Sequence, residues 1–329
     1  MLKPSVSPHL REAQRPAYQS FGVLVCLIPL VGFSCLHYGL RPLLLVVCGM
    51  FTAVAVDFVC GLLRWGRPSI SDATALVTGG LIGAMMSPLT PFWVPAIGSA
   101  FAIGVAKMPF GGTGRNIFNP AAAGMAFCAI CFPTRLFVYP DPSLTNSLPI
   151  WDTASVIIAA SPTAQISSGG TTSYDWLSLI SGTFPGPIAS AGVLILLACA
   201  LYLFMRRSSS PLIFVPYVMV CAIGAALFPR ATTVGVLNGV LLEIGTGLLL
   251  FSGVFLLSDP VTAPRFWLAR VLYGIIAAIF TILLRHFGRF ESCEFFAVML
   301  VNSFSPLLDR SCWQLATYVR DRQKRRSVS

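Results

Sequence analysis

Residues 43–63 read LLLVVCGMFTAVAVDFVCGLL, a run of 21 residues with one charged side chain. An α-helix rises about 1.5 Å per residue and the hydrocarbon core of a bilayer is about 30 Å thick, so roughly 20 apolar residues cross it. The run therefore predicts a transmembrane helix. Nine further apolar stretches are interpreted in the same way, which gives ten candidate spans: 20–38, 43–63, 73–90, 92–106, 120–139, 187–205, 211–228, 238–257, 267–287 and 292–309.

The composition indicates the same class of protein. Of the 329 residues, 56% are hydrophobic and 10% are charged, whereas soluble domains carry about 25% charged residues. These values exclude an ordinary soluble domain, and also a disordered chain, which would be polar and rich in charge. The net charge of +10 does not indicate nucleic-acid binding, because most basic residues stand singly between apolar runs rather than in a patch on a polar surface.

The distribution of Lys and Arg predicts the orientation of the spans. With ten spans, both termini lie on one side of the membrane, where 17 of the 22 basic residues fall, and 5 fall on the other side. Cytoplasmic segments carry such an excess, so we expect a multi-pass membrane protein with both termini in the cytoplasm. The expected organisation is a cytoplasmic segment over 1–19, one transmembrane domain over 20–312 with an extracytoplasmic loop over 135–186, and a basic tail over 313–329 near membrane lipid.

Two neighbouring spans are short and interrupted by proline. The spans over 73–90 and 92–106 contain Pro88, Pro91 and Pro95. Broken helices of this kind are tolerated in membranes where they face protein or a cavity.

A faint internal repeat accompanies the broken spans. Thr-Gly opens an apolar run at 78–79 and another at 246–247, and segments with Ser and Pro close them at 87–91 and 258–264. The two runs are five spans apart and therefore point in opposite directions, which is typical of inverted repeats. The predicted fold is an all-α polytopic membrane protein of about ten transmembrane helices, in two inverted repeats with short broken helices.

Two carboxylates stand at the ends of these runs. Asp72 precedes the first run and Asp259 follows the second. A carboxylate in the hydrocarbon region costs about 2.5–3.5 kcal/mol on insertion scales, so one that is retained there tends to be functional. Both are therefore candidates for an ion path, and the alternative is a helix cap that faces water. Glu243 also lies in an apolar segment, and the sequence leaves open whether it faces a polar interior or the membrane edge.

Residues 110–120 read FGGTGRNIFNP. Three Gly, two Asn and a Pro between spans indicate a tight, non-helical turn, whose backbone N–H groups could hold an anion with the help of Arg115. The alternative is a hairpin in which Asn119-Pro120 begins the next span. The stretch is neither a Walker loop nor a Rossmann turn, since no Gly-Lys-Ser/Thr follows it and no strand precedes it.

The side chains that serve metal or hydrolytic catalysis are not arranged for it. Cys128 and Cys131 share a helix face, but no second Cys pair and no His lies near them, and the pattern favours buried small side chains. The three His, at positions 9, 37 and 286, are scattered. No metal site and no catalytic residue are expected, and any chemistry must be that of a cofactor.

Five stretches, in order along the chain, carry a resemblance to a known family. They read DATALVTG at 72–79, FGGTGRNIFNP at 110–120, LISGTFPG at 179–186, SDPVTAP at 258–264, and FFAVMLVN at 295–302 with PLLDR at 306–310. Together they resemble the RnfD/NqrB family of membrane subunits, which belong to ion-translocating ferredoxin:NAD oxidoreductases and sodium-pumping quinone reductases. The chain lacks the longer N-terminal region expected of the quinone-reductase subunit, and is more similar to the RnfD branch.

The resemblance implies a ten-span redox subunit of a prokaryotic inner membrane that is not catalytic alone. It implies FMN joined through its phosphate to a Thr hydroxyl, a second, non-covalent flavin such as riboflavin, electron transfer between ferredoxin and NAD, and coupling to Na+ or H+ movement. The implied partners are the A-, B-, C-, E- and G-type subunits of an Rnf-type complex. The alternatives are a B-type subunit of a sodium-pumping NADH:quinone reductase and a flavin-free transporter on the same fold.

The resemblance also points to an attachment residue for FMN. The family's motif reads approximately Ser-Gly-Ala-Thr, and its best match here is ASPT at 160–163, which makes Thr163 the expected acceptor. Pro162 replaces the small Ala of the motif, and the nearest upstream acid is displaced to Asp152. Thr171 is therefore an alternative acceptor.

Further residues are candidates for non-covalent contacts with a flavin. Tyr174, Trp176 and Phe184 could stack on its ring, or could anchor the loop at the membrane interface. The matching stretches supply the other candidate cofactor contacts: Thr78, Arg115, Asn116, Asn119, Asp259 and Thr262.

Overall fold

A computed structural model describes most of the chain. The described residues are 16–66, 73–142, 147–151, 156–169, 172–174, 176–190, 192–230 and 235–328. Within them the secondary structure is helical apart from one short antiparallel pairing, of β1 (Tyr139–Pro140) with β2 (Ile158–Ala159).

Six α-helices precede β1 and eight follow β2. The first six are α1 (Pro16–Tyr38), α2 (Arg41–Trp65), α3 (Thr74–Met85), α4 (Trp93–Phe101), α5 (Pro120–Cys131) and α6 (Pro133–Leu136). The others are α7 (Pro162–Ser167), α8 (Trp176–Ser181), α9 (Val193–Met205), α10 (Pro211–Leu227), α11 (Val236–Gly245), α12 (Leu249–Phe251), α13 (Trp267–Phe287) and α14 (Glu294–Val328). π-helical segments continue α4 through Ala102–Lys107 and α12 through Ser252–Leu256, and a 3-10 turn at Ile188–Ser190 precedes α9.

The helices confirm the predicted class of a multi-pass membrane protein. Among the described residues, three helical stretches are long and apolar enough to cross a membrane: Tyr18–Tyr38, Arg41–Arg64 and Trp267–Phe287. A fourth candidate is α11 with α12 and its π-helical continuation, which are bent by 59° at the break between them. Five shorter apolar helices accompany them, over 74–85, 93–107, 120–131, 193–205 and 211–227. Ten spans remain a prediction.

The outer surface of the long helices is apolar. Ile28, Phe51 and Leu63 are each more than 70% exposed. Such a surface is unfavourable in water and suits contact with lipid tails.

Several predicted spans end earlier than the apolar pattern indicated. The span over 73–90 is helical only as far as Met85, because the segment that follows contains Pro88 and Pro91. Within the predicted span over 120–139, α5 ends at Cys131, and Pro133 begins the separate short helix α6. Proline lacks the N–H group that would continue the preceding helix.

The two Thr-Gly pairs of the predicted internal repeat lie in different local structures, and the inverted repeat remains a prediction. Thr78-Gly79 lies inside α3, whereas Thr246-Gly247 forms the break between α11 and α12. What recurs instead is a π-helical segment followed by a non-helical turn: Ala102–Lys107 precedes the turn over 108–119, and Ser252–Leu256 precedes the turn over 257–266. π-Helical segments are rare and are frequently found at functional sites.

Glycines allow helices to pack at backbone distance in both halves of the chain. Gly79 of α3 faces Gly49 of α2, and a Cβ atom added at Gly49 would lie 2.6 Å from the carbonyl oxygen of Gly79. In the second half, a Cβ atom at Gly274 of α13 would lie 2.5 Å from the carbonyl oxygen of Ile213 in α10. Small residues at such crossings are typical of helix association in membranes.

Three of the basic residues in the orientation count are interior groups of the protein. Arg41 and Lys107 are each 3% exposed, and Arg285 is 7% exposed. The Arg41 guanidinium donates from Nε to the carbonyl oxygen of Pro88 at 2.8 Å and from Nη1 to that of Pro149 at 3.1 Å. It thereby satisfies backbone acceptors of two non-helical segments, one of them buried at Pro88. Leaving these three residues out of the count keeps the asymmetry between the two sides.

Candidate cofactor and ion sites

Thr163 lies in the first turn of α7. The Oγ atom of Ser161 accepts a hydrogen bond from the backbone N–H of Ala164 at 3.1 Å and so caps the helix. Pro162, the departure from the family's motif, occupies the first helical position, where a missing N–H group costs nothing. The structure thus explains why Pro is compatible with this site. Thr163 is only 1% exposed.

A small apolar cluster holds α7 against the rest of the protein. Ile166 of α7 packs with Leu179, Phe184 and Leu242, and Tyr174 lies against the cluster. Phe184 is 1% exposed and packs in the interior of this cluster with Ile166 of α7. The Trp176 side chain, Asp152 and Thr171 lie outside the described residues.

A buried ionic network lies beside Thr163; we call it the arginine network and define it as Arg230, Glu243, Arg285 and Glu294. Arg285 donates from Nη1 to Oε2 of Glu243 at 3.0 Å and from Nε to Oε1 of Glu294 at 3.0 Å, and its Nη2 also contacts Oε1 of Glu294. Arg230 binds both carboxylate oxygens of Glu243 at 2.6 Å. Two cations therefore balance two carboxylates, which is the condition under which buried charge is tolerated.

The network answers the open question about Glu243, which faces a polar interior. Sequence reasoning counted Arg230 and Arg285 among the basic residues of the extracytoplasmic side and did not single out Glu294. Arg285 and Glu294 each lie within a predicted span, over 267–287 and 292–309. An ionisable residue in that position is a functional candidate by default, and this signal could have found both.

Gly247 connects Thr163 to the arginine network. A Cβ atom on Gly247 would lie 3.1 Å from Nη2 of Arg285, 3.3 Å from Oε1 of Glu294 and 3.4 Å from Oγ1 of Thr163. Its φ of +69° is a conformation that glycine adopts without strain. A side chain at this position would crowd a hydroxyl, a guanidinium and a carboxylate, so glycine is what lets these three groups converge here.

Two buried side-chain atoms in this region have no hydrogen-bond partner in the described structure. They are Oγ1 of Thr246 and Oε2 of Glu294. A cavity of about 20 Å³ borders other members of the network and is lined in part by Glu243, Thr281 and Arg285. That volume holds about one water molecule.

Glu291 fastens α7 to the segment between α13 and α14. The hydroxyl of Ser161 donates a hydrogen bond to Oε1 of Glu291. Burial raises the pKa of Glu291 to about 7, the Ser161 hydrogen bond opposes this rise, and the nearby charge of Glu294 adds to it. The carboxyl group that holds the Thr163 helix therefore titrates near neutral pH.

We expect this titration to make stability depend on pH. The pKa of Glu291 is about 7 when folded, against an ordinary value of 4.5, so between these values the folded state binds a proton that the unfolded state has lost. Stability then falls as pH rises through this window and levels off above it. Melting temperatures of the wild type and Glu291→Gln are measured from pH 5 to pH 8. Because Gln does not titrate, the wild type should lose stability relative to Glu291→Gln as the pH rises toward 7, and the difference between them should be constant above that pH.

Parallel curves would contradict the prediction. Burial also raises the pKa of Asp259, to about 6. That second titration acts in both proteins and cancels in the difference between them.

The structure brings two of the predicted stretches together at Asn119. Its Oδ1 accepts hydrogen bonds from the N–H groups of Ala121 and Ala122, at 2.9 and 3.2 Å, and so caps α5. Its Nδ2 donates to the carbonyl oxygen of Leu256 at 3.1 Å, at the end of the second π-helical segment. The turn over 108–119 is thereby joined to the turn over 257–266. The expectation that Asn119-Pro120 begins a helix is confirmed.

Asp259 and Thr262 form one local unit. The Asp259 carboxylate accepts from Oγ1 of Thr262 at 3.2 Å and from the N–H of Val261 at 3.4 Å. Nearby, Tyr273 of α13 donates to Asn302 of α14, whose Nδ2 atom is buried without a partner in the described structure.

The remaining candidates make local contacts or face outward. Oγ1 of Thr78 donates to the carbonyl oxygen of Thr74 at 2.9 Å, and Nδ2 of Asn116 donates to that of Phe118 at 3.1 Å. Arg115 is exposed, and Asp72 lies outside the described residues.

Sequence reasoning missed a second buried ion pair. Nζ of Lys107, at the end of the first π-helical segment, lies 2.9 Å from Oδ1 of Asp57 and 3.0 Å from Oγ1 of Thr74. Oγ1 of Thr113, in the turn over 108–119, lies 3.2 Å from Oγ1 of Thr74. The side chains of Lys107 and Asp57 are 3% and 4% exposed.

The described residues contain no group of three His, Cys, Asp or Glu placed to hold a metal ion. Cys128 is buried, and its Sγ lies 3.7 Å from the carbonyl oxygen of Val94. Cys131 is exposed, so the prediction that both are buried is wrong for Cys131. It occupies the last position of α5, where the helix leaves the core.

Apolar helices, breaks between them and charges buried at those breaks define a polytopic α-helical membrane protein. The chain belongs to the NQR2, RnfD, RnfE family, whose model matches residues 3–316. This confirms the resemblance drawn from the five stretches.

Several relatives are similar over nearly the whole chain. The D subunit of the Na(+)-translocating ferredoxin:NAD(+) oxidoreductase complex of Acetobacterium woodii is 29% identical, over 94% of this chain and 93% of its own. The D subunit of the proton-translocating ferredoxin:NAD(+) oxidoreductase complex of Clostridium ljungdahlii is 26% identical, over 93% of both chains. The D subunit of the ion-translocating oxidoreductase complex of Stutzerimonas stutzeri is 28% identical, over 88% of both chains.

Proposed function

We propose that this chain is the D-type membrane subunit of an Rnf-type complex, in which it relays electrons between ferredoxin and NAD through FMN esterified to Thr163. Electron transfer is coupled to movement of Na+ or H+, and the A-, B-, C-, E- and G-type subunits supply the ferredoxin and NAD chemistry. The observation that carries the proposal is the similarity to the D subunits of such complexes over more than nine-tenths of both chains.

The similarity does not favour one ion. Relatives named for Na+ and for protons are 29% and 26% identical to this chain. Asp259 is our candidate for the ion path, with Asp72 as the second, because a carboxyl group with a pKa of about 6 can exchange a proton near neutral pH.

The residues around Thr163 supply a cation for a phosphate ester but no room for one in the unmodified chain. The Arg285 guanidinium and the Thr163 hydroxyl both lie within 3.4 Å of the position that a Cβ atom on Gly247 would take, so a phosphate on Thr163 requires α7 to move. FMN, when bound, supplies one-electron transfer. The protein's part is to hold the phosphate, to exclude water and to place the ring near Tyr174.

The burial of Thr163 has a consequence for attachment. A hydroxyl that is 1% exposed is out of reach of a transferase. We therefore infer that α7 is released from Glu291 and from the apolar cluster around Ile166 when the flavin is joined.

The same proposal includes the membrane arrangement. It comprises ten spans in two inverted repeats, with both termini in the cytoplasm and the 135–186 loop outside. Support comes from the excess of basic residues on one side and from the two π-helical segments with their turns. The second, non-covalent flavin has its candidate site where Asn119 joins the two turns.

Covalent flavin in the denatured protein tests the proposal. The chain is produced with its partner subunits and a flavin transferase, and in-gel fluorescence is followed by peptide mass mapping. We expect the mass of FMN on the peptide that contains Thr163, and complete loss of fluorescence in Thr163→Val but not in the matched control Thr171→Val. FMN on Thr171 would move the site and keep the function. The absence of covalent flavin would favour a flavin-free transporter, and quinone reduction would favour the quinone-reductase subunit.

A further inference from the structure

The α7 helix has to leave its docked position before a group can be joined to it, and its contacts show how that can happen. At its N-terminal cap, the hydroxyl of Ser161 donates to Oε1 of Glu291. At its other end, Oγ of Ser167 accepts from Nη1 of Arg230 at 3.3 Å, in a contact open to water. In between, Ile166 makes apolar contacts. Of these contacts, the one to Glu291 can change with the binding of a single proton.

Glu291 lies in the segment between α13 and α14 and is half-buried. Strand β2 ends two residues before Ser161, and its partner Tyr139 in β1 is buried close enough to Glu291 for their charges to interact. Glu294, the first residue of α14, also acts on Glu291 through its charge. Arg289, two residues before Glu291, is exposed. The groups that the described structure places against the Glu291 carboxyl group are therefore a hydroxyl, a phenol and a second carboxylate.

The cations of the arginine network are already matched by carboxylates. Arg285 pairs with Glu243 and Glu294. Arg230 pairs with Glu243. Ionised Glu291 would add a third carboxylate to two cations, and an unmatched charge in a buried site is strongly unfavourable. The docked structure therefore favours the protonated form of Glu291, which can still accept the hydrogen bond from α7 through its carbonyl oxygen.

The proton affinity of Glu291 agrees with this arrangement. Burial raises its pKa to about 7, and the smaller effect of the Ser161 hydrogen bond opposes the rise. When α7 leaves, water replaces Ser161 beside the carboxyl group, and the pKa falls toward its ordinary value of 4.5. Between these values the docked state holds a proton that the released state has lost. Raising the pH through this window therefore favours release, by up to about tenfold per pH unit.

We propose that Glu291 is a proton-controlled latch on α7. While its carboxyl group is protonated, α7 stays docked and Thr163 is buried. When the proton leaves to the solvent, a negative charge remains on Glu291, α7 is released and the Thr163 hydroxyl becomes accessible. The opening is a property of the chain itself, and only its use as access for flavin attachment rests on the proposed function.

The rate at which a thiol at position 163 is modified measures this opening. The full chain is produced as Thr163→Cys without a transferase, and it is treated in detergent with a water-soluble pyridyl disulfide from pH 5 to pH 8. Peptide mass mapping distinguishes the modified site from the native cysteines. Ser168→Cys is the reference, because Ser168 is exposed at the end of the same helix. Dividing the two rates corrects for the ionisation of the thiol.

The ratio of the two rates should rise from pH 5 to pH 7, by up to about tenfold per pH unit, and level off above pH 7. With Glu291→Gln added, a neutral amide replaces the protonated carboxyl group, and the ratio should stay low at every pH. Arg289→Gln is the control for a change of charge near the latch, and it should leave the pH profile as it is. Cys128 is fully buried and should stay unmodified throughout, which distinguishes release of α7 from unfolding.

Two results would overturn the latch: a ratio that does not change with pH, and a ratio that rises equally in Glu291→Gln. Modification of Cys128 in parallel with position 163 would also overturn it, because the whole chain would then be opening. Glu291→Met is a second neutral replacement if Glu291→Gln fails to fold, and it should likewise remove the dependence on pH.

The flavin content of the wild type separates this inference from the proposed function. An opening that depends on pH, in a chain that carries no flavin on Thr163 when the transferase is present, would keep the latch and reject the attachment. Flavin on Thr163 together with a flat pH profile would keep the attachment and reject the latch.

Discussion

Replacing Lys107 with Met, or Asp57 with Asn, is expected to destabilise the protein by about 3–5 kcal/mol, because each change leaves a buried polar or charged partner without its counterpart. The Lys107 ammonium has two oxygen partners within 3.0 Å, and both members of the pair are almost fully buried. Removing both charges together removes the unpaired group. The double variant should therefore be more stable than the sum of the two single losses predicts.

Thermal unfolding in detergent measures this effect. Buried cysteines such as Cys26, Cys128 and Cys221 become reactive on unfolding, and a thiol-reactive dye reports the transition. Arg265→Met is the control, because Arg265 is exposed, and its melting temperature should match that of the wild type. Additive losses in the Lys107→Met/Asp57→Asn double variant would contradict a coupled pair.

Gly79→Ala is expected to cost about 3 kcal/mol or more, at the upper end of the range for overpacking. The added Cβ atom would overlap the carbonyl group of Gly49 and lie 2.8 Å from the Cα atom of Met50. These are backbone atoms of α2, which cannot rotate away as a side chain can. The two helices would have to separate along their whole contact.

Gly32→Ala provides the matched control. Gly32 lies in α1, and a Cβ atom there would meet nothing within 4 Å. This change should be neutral or stabilising by up to about 1 kcal/mol, since Ala has a higher helix propensity than Gly. If Gly79→Ala and Gly32→Ala have the same melting temperature, α2 and α3 do not pack at backbone distance.

The sequence predicted the class of the protein, the breaks in its helices and its family, because these depend on local sequence patterns. A run such as 43–63 is helical and apolar whatever surrounds it. Asn119-Pro120 supplies a cap and a first residue from adjacent positions, and it was correctly predicted as the start of a helix. The two Thr-Gly pairs have the same sequence but lie in different local structures, one inside α3 and one between α11 and α12. The π-helical segments, in contrast, have no simple sequence pattern.

The partners of the buried charges were decided by tertiary structure alone. Lys107 and Asp57 are 50 residues apart, and Arg285 and Glu243 are 42 residues apart. Periodicity shows which face of a helix is apolar, but it does not show which other helix will lie against a charge. Thr163 could be identified as a candidate from its motif, whereas its burial beside Gly247 and Arg285 required the packing of α7 against segments more than 80 residues away. The sequence by itself determined the helices and their breaks, since hydrogen bonds and apolar contacts within a helix are local, and the crossings of those helices determined which charges meet.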